Sequence, residues 1–243
     1  MLIDKYFETL HAQLTQIQET QQDKISDIAV KIADSIEAGG IMHVFGSGHS
    51  HMIAEDVFHR AGGLACVNAM LEPSLMELNV GRATLLERLS GYADVLLTGY
   101  SLQPGEVIVV VSNSGINAVP IEVALACKKL GMFVVALTNM EHSLQTASRH
   151  ESGKKLYEVA DIVLDNCGVH GDAALSFDDN GNKTGATSTI GGIAIIQALT
   201  VAIVDELCRR DVSPPVLISA NRDGGDGHNR ELIDRYRNRI RYL

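Results

Sequence analysis

Ile41-Met42-His43-Val44-Phe45-Gly46-Ser47-Gly48-His49-Ser50 and Val107-Ile108-Val109-Val110-Val111-Ser112-Asn113-Ser114-Gly115 follow one plan. Each is a short apolar run, of a length suited to a buried strand, ending in a glycine- and serine-rich turn ahead of a helix-like stretch. Glycine lets the backbone turn tightly and approach a ligand closely. The start of the following helix offers unpaired N–H groups and a partial positive charge to an anion. Two such turns at equivalent places predict a pocket for a phosphorylated small molecule.

The same strand–helix alternation continues outward. A helix over 50–61 stops at Gly62-Gly63, and a strand follows at 64–68. Residues 74–90 read as helix in one or two pieces. A helix over 118–130 stops at Gly131, ahead of a strand at 133–137, a short helix near 143–150 and a strand at 162–164. Such alternation predicts an α/β fold with a parallel sheet covered by helices on both sides. Residues 2–38 read as a helix in two pieces, with Asp23 as cap of the second. Residues 168–189 read as a polar loop, and the helix 189–210 is apolar nearly all round, which predicts burial. The tail opens on Pro214-Pro215, runs through a glycine-rich stretch and closes on a basic helix, 230–241. The chain thus divides into an N-terminal helical extension (1–38), a central domain (39–213) and a C-terminal loop and helix (214–243).

Composition excludes several partners. The 243 residues are 46% apolar, enough for a sizeable core, and contain no Trp. A net charge of −10 disfavours nucleic acid and anionic membranes as partners. An anionic ligand then has to be held by local dipoles. No apolar run has the length of a membrane span, and the first residues lack the plan of a signal peptide. Cys66, Cys127, Cys167 and Cys208 form no Cys-x-x-Cys pair and read as free, buried thiols. A cytoplasmic location is expected.

The first turn is not a dinucleotide fingerprint, because His51 stands where a third glycine is required. The lysine of a phosphate-binding P-loop is also missing. His51, Glu55 and His59 are spaced by four on one predicted helix. They span ~12 Å along its axis, too far for one metal to take all three; the pair Glu55 and His59 could hold one, but no metal or cofactor is assigned.

Together with Ala124-x-x-Cys127-Lys128-x-x-Gly131, Val135-Ala136-Leu137-Thr138-Asn139, Tyr157-Glu158-Val159-Ala160-Asp161 and Thr184-Gly185-Ala186-Thr187-Ser188-Thr189, the two turns resemble the sugar isomerase (SIS) domain family. This family includes phosphoheptose isomerases, aldose–ketose isomerases and N-acetylmuramic acid 6-phosphate etherases. The resemblance runs from about 38 to 210 and implies a three-layer α/β/α sandwich on a mostly parallel five-stranded sheet. It implies phosphate contacts from Ser112, Asn113, Ser114 and Gly115, with Asn117 where relatives carry Ser or Thr. Sugar contacts are implied from Ser47, Gly48, His49, Ser50, Thr187 and Ser188. Arg60 stands where many relatives carry a catalytic glutamate, and the helix 189–210 holds no histidine. Glu72, after the second strand, is therefore the expected proton-transfer base. His228, in the glycine-rich tail, is the expected ring-opening group, with His170 as a second candidate. The implied activity is aldose–ketose isomerisation of a sugar phosphate by a homodimer or homotetramer. The alternatives are a non-catalytic phosphosugar sensor and an etherase-like lyase.

Overall fold

The Val/Ile/Leu runs form one sheet because each is apolar on both faces, so each must be covered from both sides. The computed structural model describes residues 1–78 and 81–243. In chain order the elements are α1 (Leu2–Glu37), β1 (Met42–Gly46), α2 (His51–Val57), β2 (Val67–Met70), α3 (Arg82–Glu87), α4 (Tyr92–Leu97), β3 (Val107–Val111) and α5 (Ala118–Leu130). There follow β4 (Phe133–Thr138), α6 (Met140–Gln145), α7 (Leu156–Val159), β5 (Ile162–Asp165), β6 (Ala173–Ser176), β7 (Lys183–Ala186), α8 (Ser188–Arg209) and α9 (Gly225–Tyr236).

The five-stranded sheet has the order β2-β1-β3-β4-β5 and is parallel throughout. Alternate side chains enter two cores. Val44, Val109, Val135 and Leu137 pack with Ile28 and Ile32 of α1 and with Leu199 and Ile203 of α8. Phe45, Val110, Val134 and Ala136 pack with Ile121 and Ala124 of α5. The result is the expected three-layer sandwich. The chain runs from β1 outward to β2 and then returns to β3 on the other side of β1. That reversal opens a crevice at the carboxyl ends of β1 and β3.

Several sequence expectations need correction. The N-terminal region is one unbroken helix of 36 residues, because no Gly or Pro interrupts it and its stripe of Leu10, Ile17, Ile25, Ile28 and Ile32 stays buried. Asp23 lies inside α1 and caps nothing. Helix α2 ends at Val57, where Phe58 turns extended and His59 adopts a left-handed φ of 42°, so His59 leaves the stripe of His51 and Glu55. Residues 62–65 pair with the tail instead of opening β2: the Leu217 N–H donates to the Gly63 carbonyl and the Ala65 N–H to that of Pro215. The stretch 168–189 contains the antiparallel hairpin β6–β7. Helix α4 was not legible as an element.

Helix α8 is not buried all round, since Val201 is 68% exposed. By length and composition α8 could cross a membrane, but half of its apolar window is buried within this fold. Cys66 and Cys127 are buried thiols, pushed up to about 12 by burial. Cys208 is exposed, against expectation.

At the amino end of the sheet Glu106 is only 2% exposed. It accepts hydrogen bonds from His43 (2.9 Å), Arg239 (2.6 Å) and the backbone N–H groups of Ile41 and Gln103 (both 3.0 Å). Burial raises its proton affinity, but the bonds from His43, Arg239 and Ile41 outweigh burial and hold the carboxyl below its usual value. A lowered folded-state pKa contributes stability above the unfolded value, lost as pH falls through the folded one. Glu106→Gln is expected to cost about 3 kcal/mol in urea unfolding at neutral pH, because it strands Arg239. The gap to wild type should narrow as pH drops below that of an ordinary carboxyl. A gap independent of pH would refute the ion-pair account.

Candidate functional site

Register places the two turns side by side: Phe45 pairs with Val110, and Gly46 with Val111. The first turn then doubles back on itself so closely that any side chain at Gly46 would run into the Ser50 carbonyl. In the second turn Gly115 takes a φ of 63°, a left-handed value that favours glycine. Between the turns lies a cavity of about 220 Å³. Ser47, Gly48, His49 and Ser50 line one wall, and Ser112, Asn113, Ser114 and Asn117 line the other. Glu87, Asn166, Asp172, Ser188 and Thr189 complete the lining with three apolar residues.

The second turn is a cradle of donors. The Ser112 hydroxyl accepts from the Gly115 N–H at 3.2 Å, which folds the turn. Asn117 sits at the N-cap of α5, yet its side chain does not cap the helix. Its amide donates instead to Glu87 (2.6 Å), and its carbonyl accepts from Arg149 (2.9 Å). Asn117 therefore gives no acceptor to the N–H groups of Ala118 and Val119 at the start of α5, and Pro120 after them has no N–H. A chain of amides stiffens the floor: Asn166 donates to Asn113 (2.9 Å), and Asn139 donates to Asn166 (3.1 Å). Gln13 of α1 reaches in to donate to the Asn166 carbonyl at 2.8 Å. Among the described lining residues there is no Lys or Arg, so an anion here is held by dipoles and hydroxyls.

Two carboxylates face the cavity, with different uses. Asp172 is taken up by the start of α8: it accepts from the N–H groups of Thr187 (2.9 Å) and Ser188 (2.7 Å) and from the Ser188 hydroxyl (3.0 Å). It therefore caps α8. Glu87, at the end of α3, accepts from Ser47 (2.7 Å) and Asn117 (2.6 Å), one donor per oxygen. Each oxygen keeps a free lone pair. Beside this site His142 and His170 stack with ring centroids 4.6 Å apart, and the Gly171 N–H donates to His142 at 3.0 Å. Burial, His170 and Arg149 lower the proton affinity of His142 against the opposing pull of Asp172.

Nine of the eleven residues expected to bind ligand line this one cavity. Thr187 is buried beneath it, bonded to Asp172, and Gly115 lies under its turn. Glu72 does not line it. Its carboxylate accepts from the Ser74 hydroxyl (2.7 Å) in the 3-10 turn Pro73–Leu75. His228 does not line it either, and its Nε2 contacts the Val216 carbonyl at 2.9 Å. His170 stays outside, stacked on His142. Sequence reasoning missed Glu87, Asp172 and Asn166. Asp172 carried a faint signal in Gly168-Val169-His170-Gly171-Asp172, and Glu87 carried none. His51 donates Nδ1–H to the Gly48 carbonyl (2.5 Å) and stands 3.7 Å from Glu55. Among the described residues no group of three His, Cys, Asp or Glu is placed to hold a metal ion.

The model of the SIS domain matches residues 5–139, more than half of the chain. The chain belongs to the SIS-domain family. Full-length relatives place it with the UPF0309 proteins. One from Caldanaerobacter subterraneus is 42% identical over 247 residues and all of both chains. One from Listeria monocytogenes is 37% identical over 243 residues, 100% of this chain and 98% of the relative. Among solved structures, a phosphoheptose isomerase from Francisella tularensis aligns with a TM-score of 0.55 at 18% identity, over 83% of this chain and 95% of the other. A protein from E. coli CFT073, solved in complex with a phosphosugar, aligns with a TM-score of 0.51 at 16% identity, over 86% and 90%. At these identities the likeness is one of fold.

The SIS crevice depends on the α8 cap. Asp172→Ala should lower unfolding free energy by about 1–2 kcal/mol, measured by denaturant titration, and Ser188→Ala by less. Equal stability of Asp172→Ala and wild type would show that the cap is not structural.

Proposed function

We propose that this protein binds an open-chain sugar phosphate and interconverts its aldose and ketose forms. The observation that carries the reading is the position of Glu87. It is a carboxylate held by one donor from each turn, Ser47 and Asn117, and it lines the same cavity of about 220 Å³ as the serines of the second turn. The phosphoryl group lies in the 112–115 turn, at the start of α5. The carboxylates of Glu87 and Asp172 repel it, which orients the sugar with its carbonyl end toward Glu87. The carboxylate of Glu87 takes the proton from the carbon beside the carbonyl. The C–H pair becomes a C=C bond, and the carbonyl π pair moves to oxygen. A proton passes from the adjacent hydroxyl to that oxygen, the pair it leaves forms the new C=O, and Glu87 returns its proton to the former carbonyl carbon, which gives the other isomer with no net oxidation. Glu87 takes the role assigned from sequence to Glu72. His228 can serve as the ring-opening group only if a second copy brings it to the cavity.

The phosphoheptose isomerase and the phosphosugar complex among the structures of similar fold support this substrate class. A homo-oligomer belongs to the same reading. Leu14 of α1 and Val201 of α8 are exposed apolar residues on a groove of about 520 Å³ between the two helices, a face suited to a second copy. Val201→Glu should shift sedimentation toward the monomer, and a monomeric wild type would remove this part.

The central test is NMR in deuterium oxide with pentose, hexose and heptose phosphates. Deuterium should appear beside the carbonyl with wild-type protein. Glu87→Gln should slow exchange by at least ~100-fold with binding kept. Ser114→Ala should weaken binding about tenfold. Binding by wild type without exchange would replace catalysis with sensing. Full exchange in Glu87→Gln would remove Glu87 as the base.

A further inference from the structure

After α9 the tail carries Arg237, Arg239 and Arg241, and all three line one cavity of about 220 Å³ closed by the backbone of 99–101. No residue of this cavity lines the Glu87 crevice. In a chain of net charge −10, three guanidinium groups around one cavity need an accounting of their counter-charges.

Arg237 donates to Asp234 (3.0 Å), an exposed pair. Arg239 uses Nη2 for Glu106 (2.6 Å) and the Ser101 carbonyl (3.3 Å), while its Nε is buried with no acceptor. Arg241 has no carboxylate within ion-pair distance among the described residues. Its guanidinium lies over the rings of Tyr100 (5.3 Å) and Tyr242 (5.5 Å). A Cβ at Gly99 would stand 2.8 Å from Arg241 Nη1, so the absence of a side chain there lets the guanidinium settle against the backbone. Three cations therefore face two carboxylates, and the unmatched one is held by two aromatic rings. A stacked guanidinium keeps its N–H edge free for an oxyanion.

We propose that this cavity is a second anion site, separate from the crevice, and that it takes a phosphoryl group, as orthophosphate or as a phosphate monoester. The N–H donors left over from the pairs with Asp234 and Glu106 come from three guanidinium groups set around the cavity, and a phosphoryl group, with three or four oxygens, accepts from more directions than a planar carboxylate. The site is also placed to affect the crevice. Tyr100 and Tyr242 both donate their hydroxyls to the Leu71 carbonyl (3.1 and 2.6 Å). Leu71 opens the connection that leads to α3 and Glu87.

The test is calorimetric titration of the full chain with orthophosphate and, separately, glycerol 3-phosphate, in wild type, Arg241→Ala, Arg237→Ala and Ser114→Ala. Two sites are expected in wild type. Arg241→Ala should weaken one of them by about tenfold or more, and Ser114→Ala the other. Arg237→Ala keeps the test open if loss of the stacked Arg241 unfolds the tail, which circular dichroism would reveal. The two ligands separate the sources: equal affinity means that the free anion suffices, and tighter glycerol 3-phosphate means a monoester. Succinate bound as tightly as phosphate would overturn the phosphoryl assignment. A single site, abolished by Ser114→Ala and unchanged in folded Arg241→Ala and Arg237→Ala, would overturn the second site and leave the crevice reading intact. Loss of binding only in the arginine variants would do the reverse.

Discussion

The parallel register of β1 against β3 is the constraint on which the rest depends. Because Gly46 pairs with Val111, both strands end at one level and both turns open into one crevice. A shift of either strand by one residue would exchange the faces of the sheet, sending Val44 and Val109 into the core now filled by Phe45 and Val110. The two cores therefore fix the register, and the register fixes the site. Gly46 answers to the same geometry, since the chain can return over the end of β1 only where no side chain blocks the Ser50 carbonyl.

Electrostatics in the crevice follow from what its residues are diverted from doing. Asn117 sits where a capping side chain would satisfy the start of α5, but Arg149 and Glu87 claim its two ends. The Asn117 side chain leaves the start of α5 uncapped, and Glu87 gains a fixed donor. Asp172 does the opposite at α8, where it fills the helix start and leaves no room for an anion. Two helix ends face one cavity, and a single carboxylate decides which of them can hold a phosphate. An acidic chain can bind an anion in this way without a cation in the cavity lining.

What was legible in the sequence is what depends on short-range pattern. The runs at 41–45, 107–111 and 133–137 became strands because continuous apolar runs have few other destinations, and the serine turns followed from them. What was not legible depends on meetings across the chain. Glu87 ends a six-residue helix with no apolar period of its own, and only packing brings it to Ser47 and Asn117. Glu72 looked better placed because it follows a strand, but the proline after it forms a 3-10 turn in which Ser74 takes its carboxylate. The hairpin β6–β7 was hidden by its polar, glycine-rich composition, which reads as loop.

The two ends of the chain have a shared role in closing the sheet. An unpaired edge strand exposes backbone groups that invite further pairing. At the β5 edge, α1 supplies side chains for this purpose. Gln21 accepts from the Asp165 N–H (3.0 Å), and Lys24 donates to the Val163 carbonyl (2.9 Å). Around the β2 edge the tail does the same, pairing with 62–65 at one end and reaching the Leu71 carbonyl through Tyr242 at the other. The helix that guards β5 also sends Gln13 to the floor of the crevice. The tail that flanks β2 carries Arg239 to Glu106 under β1 and β3. Segments outside the strand–helix alternation thus close the sheet and brace the site, so changes in either terminus should be felt at the crevice through the backbone rather than through contact with ligand.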